Sequence, residues 1–278
     1  MSCKTTFFCA IYRTFVVMKK VIVMGASSGM GQALATLLYK DGWIVGIAAR
    51  RIEEMEQWKL EQQQLNPSTT AMDGQDNERI FTAQIDVCAP EAPQTLLDLI
   101  HRMGGIDLYI HASGIGRQNP ELQEDIELNT VETNGVGFTR MIGTIYRYMA
   151  VNGGGQIAVI SSIAGVKGLG AAPAYSATKA LQNTYVQALE QLANNKSLRI
   201  HFTDLRPGFV DTALLKGGDY PMMMNPQLVA RHMLKAIYRK RHVCIIDWKW
   251  RILVSLWRCL PRCIWRHFRL CLLYTSDA

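Results

Sequence analysis

One stretch near the start of the chain restricts its fold more than any other. An apolar run ending at Met24 is typical of a buried strand, and it continues directly into the glycine-rich segment Gly25-Ala26-Ser27-Ser28-Gly29-Met30-Gly31. A helical pattern follows, with apolar Leu34 and Leu38 one turn apart. In this order of elements, backbone N–H groups and the helix dipole point at a phosphate, which the glycines allow to approach. The stretch predicts a nucleotide-binding βα unit; a plain tight turn is the alternative.

The same alternation of strand and helix patterns continues along the chain. With 278 residues, 49% of them hydrophobic, the chain can bury one large core. Alternating elements favour parallel strands with the site at their carboxyl ends. We therefore expect an α/β fold with a single Rossmann-type doubly wound parallel sheet of about seven strands and helices on both faces. The predicted strands after the first are Trp43–Ala48, Arg79–Ile85, Ile106–Ile110, Gln156–Ile160, Leu198–Leu205 and His242–Asp247, and the helices between them are Ile52–Leu65, Ala92–Met103, Glu121–Ala150, Pro173–Ala193 and Pro226–Arg239.

A tyrosine and a lysine are spaced for proton transfer at the start of the predicted helix Pro173–Ala193. Lys179 follows Tyr175 by about one helical turn, so the phenol and the ammonium share a face. A neighbouring cation favours the phenolate, and we expect Lys179 to lower the pKa of Tyr175 towards neutrality. Ser162, at the end of the preceding strand, can hydrogen-bond the same substrate oxygen. An ordinary solvated helix face is the alternative for the spacing alone, but no other tyrosine of the chain has a lysine four residues on.

The long predicted helix Glu121–Ala150 contains two poor helix formers, Asn134 and Gly135, with Gly137 close behind. Such residues in a helix interior predict a kink or bulge that frees a backbone carbonyl. We expect Asn134 to hold a water there, between Lys179 and bulk solvent.

The residues after the second predicted strand bear on the choice of cofactor. An acid at this point would bind the ribose 2′-hydroxyl of NAD, but the first acid after Ala49 is Glu53. Arg50, together with Ser27 and with Arg51, suits a 2′-phosphate instead. We therefore expect NADP(H) in preference to NAD(H); solvated arginines at a helix start are the alternative.

Three further strand ends are expected to lie at the same site. Asp86-Val87 can meet an adenine amine, or Asp86 simply caps a turn. His111 is expected to be structural rather than catalytic. The rigid turn Pro207-Gly208 can run beside a nicotinamide, with Thr212 bonding its carboxamide or a phosphate. The segment 213–226, with a Gly-Gly pair and three consecutive methionines, is either a lid over an apolar substrate or an ordinary surface loop.

The formal net charge of +7 is concentrated in the tail. Residues 248–270 contain basic side chains and no acid, whereas the charges of residues 18–247 cancel, so the body lacks the basic field that nucleic acid requires. An arginine stripe opposite an apolar, Trp-rich face predicts a helix in a membrane interface, kinked near Pro261; packing against a partner subunit or over the substrate pocket competes with this interpretation. The stripe is Arg251, Arg258, Arg262, Arg266 and Arg269, and the apolar face is Leu253, Leu256, Trp257, Leu260, Ile264 and Phe268.

The domain organisation follows from these patterns. Residues 18–247 form one domain and 248–270 a basic amphipathic segment. Residues 1–17 lack a signal-peptide cleavage site and are expected to be a mis-start or a disordered leader, with a membrane-associated leader as the alternative; residues 271–278 are expected to be a sequencing-adapter artefact. Seven cysteines without paired spacing predict reduced thiols, no metal site and a cytoplasmic protein, with contact at the inner membrane surface through the tail.

Together these motifs resemble the short-chain dehydrogenase/reductase (SDR) family over about residues 18–247. The family's TGxxxGxG is similar to Met24–Gly31, and its PGxxxT is similar to Pro207, Gly208 and Thr212. Its catalytic Asn, Ser, Tyr and Lys are similar to Asn134, Ser162, Tyr175 and Lys179. The cofactor-binding residues that the motifs and the resemblance imply are Gly25, Ser27, Ser28, Gly29, Met30, Gly31, Arg50, Arg51, Asp86, Val87, Ala112, Ser113, Gly114, Tyr175, Lys179, Pro207, Gly208, Val210 and Thr212.

The resemblance implies a hydride transfer between NADP(H) and a carbonyl or secondary alcohol of an apolar small molecule. Tyr175 would pass the proton, Ser162 would polarise the substrate oxygen, Lys179 would bind the nicotinamide ribose and tune Tyr175, and Asn134 would position a relay water. Family members are often homo-oligomers. A nucleotide-sensing or membrane-bound interaction protein, and an epimerase or dehydratase on the same fold, are the alternatives.

Two positions depart from the family pattern. Met24 stands where the family has Thr, and His111-Ala112-Ser113-Gly114 replaces its NNAG. The contacts to the adenosine side are therefore less strongly implied than the catalytic group.

Overall fold

The computed structural model describes residues 18–65, 78–212, 215 and 220–267. The expectations for residues 1–17 and 271–278 fall outside these ranges. So do most of the loop over residues 66–78, several positions of the segment 213–226 and the last residues of the basic tail.

A parallel sheet forms the centre of the fold. Its strands are β1 (Lys20–Met24), β2 (Ile44–Ala49), β3 (Ile80–Gln84), β4 (Leu108–His111), β5 (Gly155–Ile160), β6 (Ile200–Arg206) and β7 (Val243–Ile245). The order across the described sheet is β3-β2-β1-β4-β5-β6-β7, and every neighbouring pair is parallel. The chain order reverses between β1 and β4, which is where ligands bind in doubly wound sheets. The predicted fold class is confirmed.

The strands are apolar almost throughout because both faces of the sheet are covered. In β1, Val21 and Val23 pack into one core cluster, whereas Ile22 and Met24 pack into the other. This is the alternation that a strand imposes on successive side chains.

Helices form the two outer layers. They are α1 (Gly29–Lys40), α2 (Ile52–Leu65), α3 (Ala92–Arg102), α4 (Glu124–Val131), α5 (Phe138–Val151), α6 (Pro173–Asn195), α7 (Pro226–Tyr238), α8 (Trp248–Cys259) and α9 (Arg262–Trp265). Buried residues of α1, α2 and α7 share one core cluster, and those of α3, α5 and α6 share the other. The sheet is therefore wound on both sides, as the alternating pattern predicts.

The predicted helix Glu121–Ala150 is interrupted where the sequence indicates. A π-helical turn, Glu132–Gly137, separates α4 from α5 and contains Asn134, which is fully buried. A Cβ at Gly137 would lie 2.8 Å from a methyl of Val87, so the glycine lets this turn approach the end of β3 closely. The π-helical turn is therefore held in place by its packing against Val87.

The tail folds back onto the body. Trp250 and Val254 of α8 are buried in a small cluster with Ile163. The helix breaks at Pro261, as predicted, and in α9 the indole of Trp265 donates to the Gly168 carbonyl at 2.9 Å.

The apolar face predicted for the tail is wrong as a single surface. Leu253 and Trp257 pack against the buried cluster on the body, whereas Leu256 is exposed on the other side of α8. The sequence pattern does not separate the two sides, because α8 has apolar residues on both. Among the helices in the described ranges, none is long and apolar enough to cross a membrane.

Candidate active site

A cavity of about 460 Å³ opens at the carboxyl ends of the strands. One end is formed by the glycine-rich segment 25–31 and the end of β2, and the other by Ser162, Tyr175 and Lys179. Ala112, Ser113 and Gly114 at the end of β4 lie between them. The cavity is within the range of about 300–1,000 Å³ that is usual for ligand sites.

Tyr175 lies at the first turn of α6, where Pro173 begins the helix. Its hydroxyl is hydrogen-bonded to the side chain of Ser162, which also accepts from the Ala164 N–H at 3.0 Å. A Cβ at Gly116 would lie 2.7 Å from the Tyr175 ring, so this glycine allows the ring to pack closely against the loop after β4. The predicted neighbours Ser162 and Tyr175 are therefore brought together.

The expected direction of the Tyr175 pKa is wrong in this structure. Burial raises the pKa of Tyr175, and the hydrogen bond from Ser162 opposes this only in part. The Lys179 ammonium lies 5.7 Å from the centre of the tyrosine ring. Desolvation by burial is the largest influence on the phenol.

Lys179 is buried, and two oxygens accept hydrogen bonds from its ammonium. These are the Ile160 carbonyl at 3.2 Å and the side-chain oxygen of Gln182 at 3.0 Å. Burial lowers the pKa of Lys179 to about 8, and the carboxylate of Asp204 acts in the opposite direction. The lysine is thus mostly protonated at neutral pH and loses its proton at mildly alkaline pH.

Asn134 is not among the residues that line the cavity; it supports the wall behind it. Its side-chain oxygen accepts from the Ile115 N–H at 2.9 Å and its amide donates to the Ile115 carbonyl at 2.6 Å. Its own backbone carbonyl accepts from the Gln182 amide at 2.9 Å. Asn134 and Lys179 are therefore both hydrogen-bonded to the side chain of Gln182. The sequence analysis did not identify Gln182. A polar residue one turn after Lys179 was the available signal.

The glycine-rich segment has the shape that a phosphate group requires. Gly25 and Gly29 adopt positive φ values of 87° and 60°. A Cβ at Gly25 would lie 2.5 Å from the Ser113 nitrogen, so only glycine lets the turn pack against the end of β4. Ser28, at the start of α1, makes no side-chain cap, which leaves the first N–H groups of the helix facing the cavity. These residues fit a dinucleotide.

The PGxxxT segment lies over this turn. Thr212 packs 3.6 Å from the position that a Cβ would take at Gly29. Pro207, Gly208 and Val210 line the cavity with it. The segment therefore joins the two ends of the site.

The arginines at the end of β2 differ from the expectation. Arg51, rather than Arg50, reaches the glycine segment: it donates to the Ser27 hydroxyl at 2.9 Å and the Ser28 hydroxyl at 3.0 Å. Its other nitrogen pairs with Glu54 at 2.8 Å. Both arginines are exposed and line the cavity. The choice between two adjacent long side chains depends on their rotamers, which the sequence pattern does not reveal.

Asp86 and Val87 line the same end of the cavity. One oxygen of Asp86 accepts from the Cys88 N–H at 3.0 Å and so caps the turn, which was the alternative role expected for it. The Val87 carbonyl accepts from Arg140 at 2.8 Å. The second Asp86 oxygen is the group that can meet an adenine amine.

His111 is buried behind the cavity. It is hydrogen-bonded to the Tyr109 hydroxyl at 3.1 Å and packs edge-on against Phe138. Burial lowers its pKa to about 3, so the ring is neutral at physiological pH. This environment supports the structural role expected for it.

The end of the cavity beyond Tyr175 is apolar. Leu169, Phe209, Tyr220 and Trp257 line it, and Trp257 comes from α8. Gly208 makes this possible because its lack of a side chain admits the neighbouring Trp250. The described positions of the segment 213–226 include Leu215, which also lines the cavity.

No group of three or more His, Cys, Asp or Glu side chains within the described ranges is arranged to hold a metal ion.

Known proteins resemble this chain in sequence. A family model described as short chain dehydrogenase matches residues 19–219. An uncharacterized oxidoreductase of Mycobacterium tuberculosis is 29% identical over 261 residues, which are 92% of this chain and 99% of the relative.

Solved structures resemble it in fold. A short chain dehydrogenase/reductase from Burkholderia phymatum in complex with NAD has a TM-score of 0.74 at 17% identity and covers 86% of this chain and 92% of its own. An alcohol dehydrogenase from the archaeon Thermococcus sibiricus complexed with 5-hydroxy-NADP has a TM-score of 0.68 at 23% identity, with 82% and 96% covered. At these identities the likeness concerns the fold.

Proposed function

Because the chain belongs to the short chain dehydrogenase family, it is an NAD(P)-dependent oxidoreductase, and we propose that it interconverts a carbonyl and a secondary alcohol on an apolar small molecule with NADP(H). The observation that carries this proposal is the contact between the Tyr175 and Ser162 hydroxyls at the junction of a polar and an apolar half of one cavity. A carbonyl oxygen placed there meets two hydroxyls, and the rest of its molecule meets Leu169, Phe209 and Trp257.

The roles of the side chains follow from what each can donate. In the reducing direction Ser162 donates a hydrogen bond to the substrate oxygen, and Tyr175 transfers its phenolic proton to that oxygen as the carbon accepts a hydride. When bound, the nicotinamide supplies the hydride. Lys179 stabilises the negative charge that the proton transfer leaves on Tyr175. In the oxidising direction each transfer is reversed.

A preference for NADP(H) over NAD(H) is the finer part of the proposal. Arg51 supports it, because its guanidinium already lies against Ser27 and Ser28 and can pair with a 2′-phosphate. Arg50 lines the cavity beside it. Glu54, an acid at the start of α2, already forms an ion pair with Arg51.

The experiment that tests the proposal is a screen of NADPH consumption with medium-chain, steroid-like and sugar-derived ketones and aldehydes. We expect oxidation of NADPH in equal amount to the alcohol formed, fastest with apolar substrates. Tight NADPH binding without turnover across the panel would favour a nucleotide sensor instead. Product formed without net cofactor oxidation would favour an epimerase or dehydratase.

The proposal includes a homo-oligomer. Val131 and Leu181, which are 42% and 43% exposed, both lie within 4.0 Å of the Cβ position of Gly135 and so form part of one apolar face of α4 and α6. Such a face suits a second copy of the chain. Sedimentation velocity of the purified protein tests this, and a purely monomeric species contradicts it.

The proposal also includes contact with an anionic bilayer through the outer side of α8. Trp248, Ile252 and Leu256 are 58%, 55% and 61% exposed and recur at every fourth residue, so they form one stripe. Lys249 and Arg251 lie beside it, and the helix has no acid. Apolar side chains flanked by cations suit a negatively charged lipid surface.

Sedimentation with vesicles tests this contact. We expect more protein to pellet with vesicles of phosphatidylglycerol and phosphatidylcholine than with phosphatidylcholine alone, and replacement of Trp248, Ile252 and Leu256 by serine to remove the difference. Serine at exposed Leu60 and Leu65 of α2 is the control. Equal pelleting with both lipids contradicts the contact.

The proposal places the protein in the cytoplasm. Cys88, Cys244, Cys259 and Cys263 are free thiols in the described part of the chain, which supports a reducing compartment.

A further inference from the structure

Gln182 is a buried amide next to the proposed proton-transfer group. It lies on α6, three residues after Lys179, and is 1% exposed. Its side-chain oxygen accepts from the Lys179 ammonium at 3.0 Å, and its side-chain nitrogen donates to the Asn134 carbonyl at 2.9 Å. One side chain therefore connects two members of the predicted catalytic group.

The chemistry of its partners fixes the orientation of this amide. A backbone carbonyl accepts but cannot donate, so the NH₂ group must face Asn134. The oxygen of Gln182 must then face Lys179, whose ammonium only donates. The amide cannot rotate by half a turn without placing an oxygen against an oxygen and a donor against a donor.

The same contacts aim the ammonium. Of the three N–H donors of Lys179, one goes to the Ile160 carbonyl and one to Gln182. Lys179 also lines the cavity, so its third donor is available to a group bound there. A Cβ at Gly114 would lie 3.6 Å from the ammonium nitrogen, so the loop after β4 is also close to it.

The other end of Gln182 is equally constrained. Asn134 lies in the π-helical turn, and its side chain holds both backbone groups of Ile115. The next residue, Gly116, packs against the Tyr175 ring. Gln182 thus connects Lys179 to the loop that supports the tyrosine.

We propose that Gln182 is a positioning residue of the proton-transfer site: it stabilises the charged form of Lys179, directs its third donor into the cavity, and takes the carbonyl of Asn134 at which a relay water was expected. This inference rests on the function proposed above. A neutral amide holds a proton donor in place but does not itself pass a proton on. Exchange between Lys179 and solvent is therefore expected through the cavity rather than through the Asn134 carbonyl.

The charged surroundings of Lys179 make Gln182 important. Burial lowers the pKa of the ammonium to about 8, so each acceptor affects its charge near neutral pH. The groups that face it are His111 from β4, which is neutral, Asp204 from β6, and Tyr175 from its own helix. Asp204 is itself paired with Arg206 at 2.6 Å. The charge of Asp204 is therefore shared with Arg206, whereas the side-chain oxygen of Gln182 accepts from Lys179.

Two substitutions at this position should act in opposite directions on the pH dependence of ketone reduction. Gln182→Leu removes the acceptor, which should lower the pKa of Lys179 and move the alkaline fall of kcat to lower pH by about one unit. Gln182→Glu adds a negative charge, which should move the fall to higher pH by about the same amount. We expect Gln182→Leu also to lower kcat about fivefold at pH 8 with little change in KM.

A buried glutamine outside the site provides the control. Gln156 on β5 donates to the Thr203 hydroxyl at 3.0 Å and the Ile237 carbonyl at 2.9 Å, so Gln156→Leu also breaks two buried hydrogen bonds. It should lower the melting temperature and leave the pH profile unchanged.

The results separate this inference from the proposed function. Opposite shifts of the two Gln182 variants support the positioning role. A wild type that reduces ketones, together with unshifted profiles or shifts of equal sign, overturns the role of Gln182 alone. If both Gln182 variants fail to give a cooperative thermal transition while Gln156→Leu folds, the residue is structural and the inference is overturned. A wild type that neither binds nor oxidises NADPH overturns both.

Discussion

The two ends of the cavity are built in different ways. At the tyrosine end, Ser162, Lys179 and Asn134 are buried and held by several partners. At the arginine end, Arg50 and Arg51 are exposed, and the contacts of Arg51 are with hydroxyls and with a half-exposed glutamate. The proposed proton transfer needs fixed distances and lies where packing fixes them, whereas the proposed recognition of a 2′-phosphate is left to solvated side chains.

This difference has an energetic reason. A buried polar group without a partner costs about 1–3 kcal/mol, so a buried site must be fully bonded and changes at one residue affect its neighbours. Exposed side chains lose little when a partner is removed. Substitutions at the tyrosine end should therefore have large effects on turnover, and those at the arginine end should mainly change cofactor preference.

Tyr175→Phe should have the largest effect. It removes the proton donor and leaves the ring, so kcat/KM should fall by at least about 10³-fold. The dissociation constant of NADPH, measured by fluorescence titration, should change less than about threefold. Turnover near the wild-type level would show that Tyr175 is not the proton donor. The tyrosine end would then not be the part of the cavity most sensitive to substitution.

The buried charge at the tyrosine end should be visible in stability. The pKa of Lys179 is about 8 in the folded protein and its ordinary value is 10.5, so the folded state gives up this proton first. Between pH 8 and 10.5 the unfolded chain therefore binds more protons than the folded protein, and the contribution of Lys179 to stability rises with pH. The wild type should gain on the order of 2–3 kcal/mol relative to Lys179→Met from pH 7 to pH 10.

Urea unfolding of the two proteins at a series of pH values measures this difference. A constant difference would show that Lys179 is not desolvated as the structure indicates. Tyr175 does not disturb the test below pH 10, because its pKa is raised in the folded state.

Arg51→Ala tests the arginine end. Loss of a charge-assisted contact should weaken NADPH binding about 10–100-fold and leave NADH binding and protein stability almost unchanged. Arg50→Ala should have a smaller effect, because Arg51 is the residue that contacts Ser27 and Ser28. Equal loss of NADPH and NADH affinity would show that Arg51 does not recognise the 2′-phosphate.

Trp257→Ala should have the smallest effect of the series. Trp257 lines the apolar part of the cavity, so its loss should raise KM for a large apolar ketone about tenfold and leave cofactor affinity unchanged. Trp248→Ala, at an exposed site of the same helix, is the matched control. An equal effect of both changes would place the influence of α8 in its stability rather than in the cavity.

The sequence predicts the fold and the shared helix face of Tyr175 and Lys179 because both depend on regular spacing. The alternation of patterns locates the strands of the sheet, and a separation of one helical turn places Tyr175 and Lys179 on one face. Poor helix formers mark the π-helical turn at Asn134 correctly. In each case the feature depends on residues that are close together in the sequence, so their spacing is enough to predict it.

The missed features depend on contacts between distant segments. The choice of Arg51 over Arg50 depends on rotamers, and the link from Lys179 through Gln182 to Asn134 depends on how α6 packs against the π-helical turn. The pKa of Tyr175 rises because burial outweighs the hydrogen bond from Ser162, and the extent of burial depends on the packing of distant segments. The two apolar sides of α8 separate only once Trp250 is packed beneath Gly208.

The most direct test of the central claim follows a hydrogen atom. The claim is that the site beside Tyr175 transfers a hydride between NADP(H) and a substrate carbon. A ketone that the screen identifies is reduced with NADPH fully deuterated at the nicotinamide C4 position, and the alcohol is examined by NMR and mass spectrometry. We expect one deuterium on the former carbonyl carbon for each NADPH oxidised. Unlabelled alcohol, or product formed without oxidation of NADPH, would contradict the account.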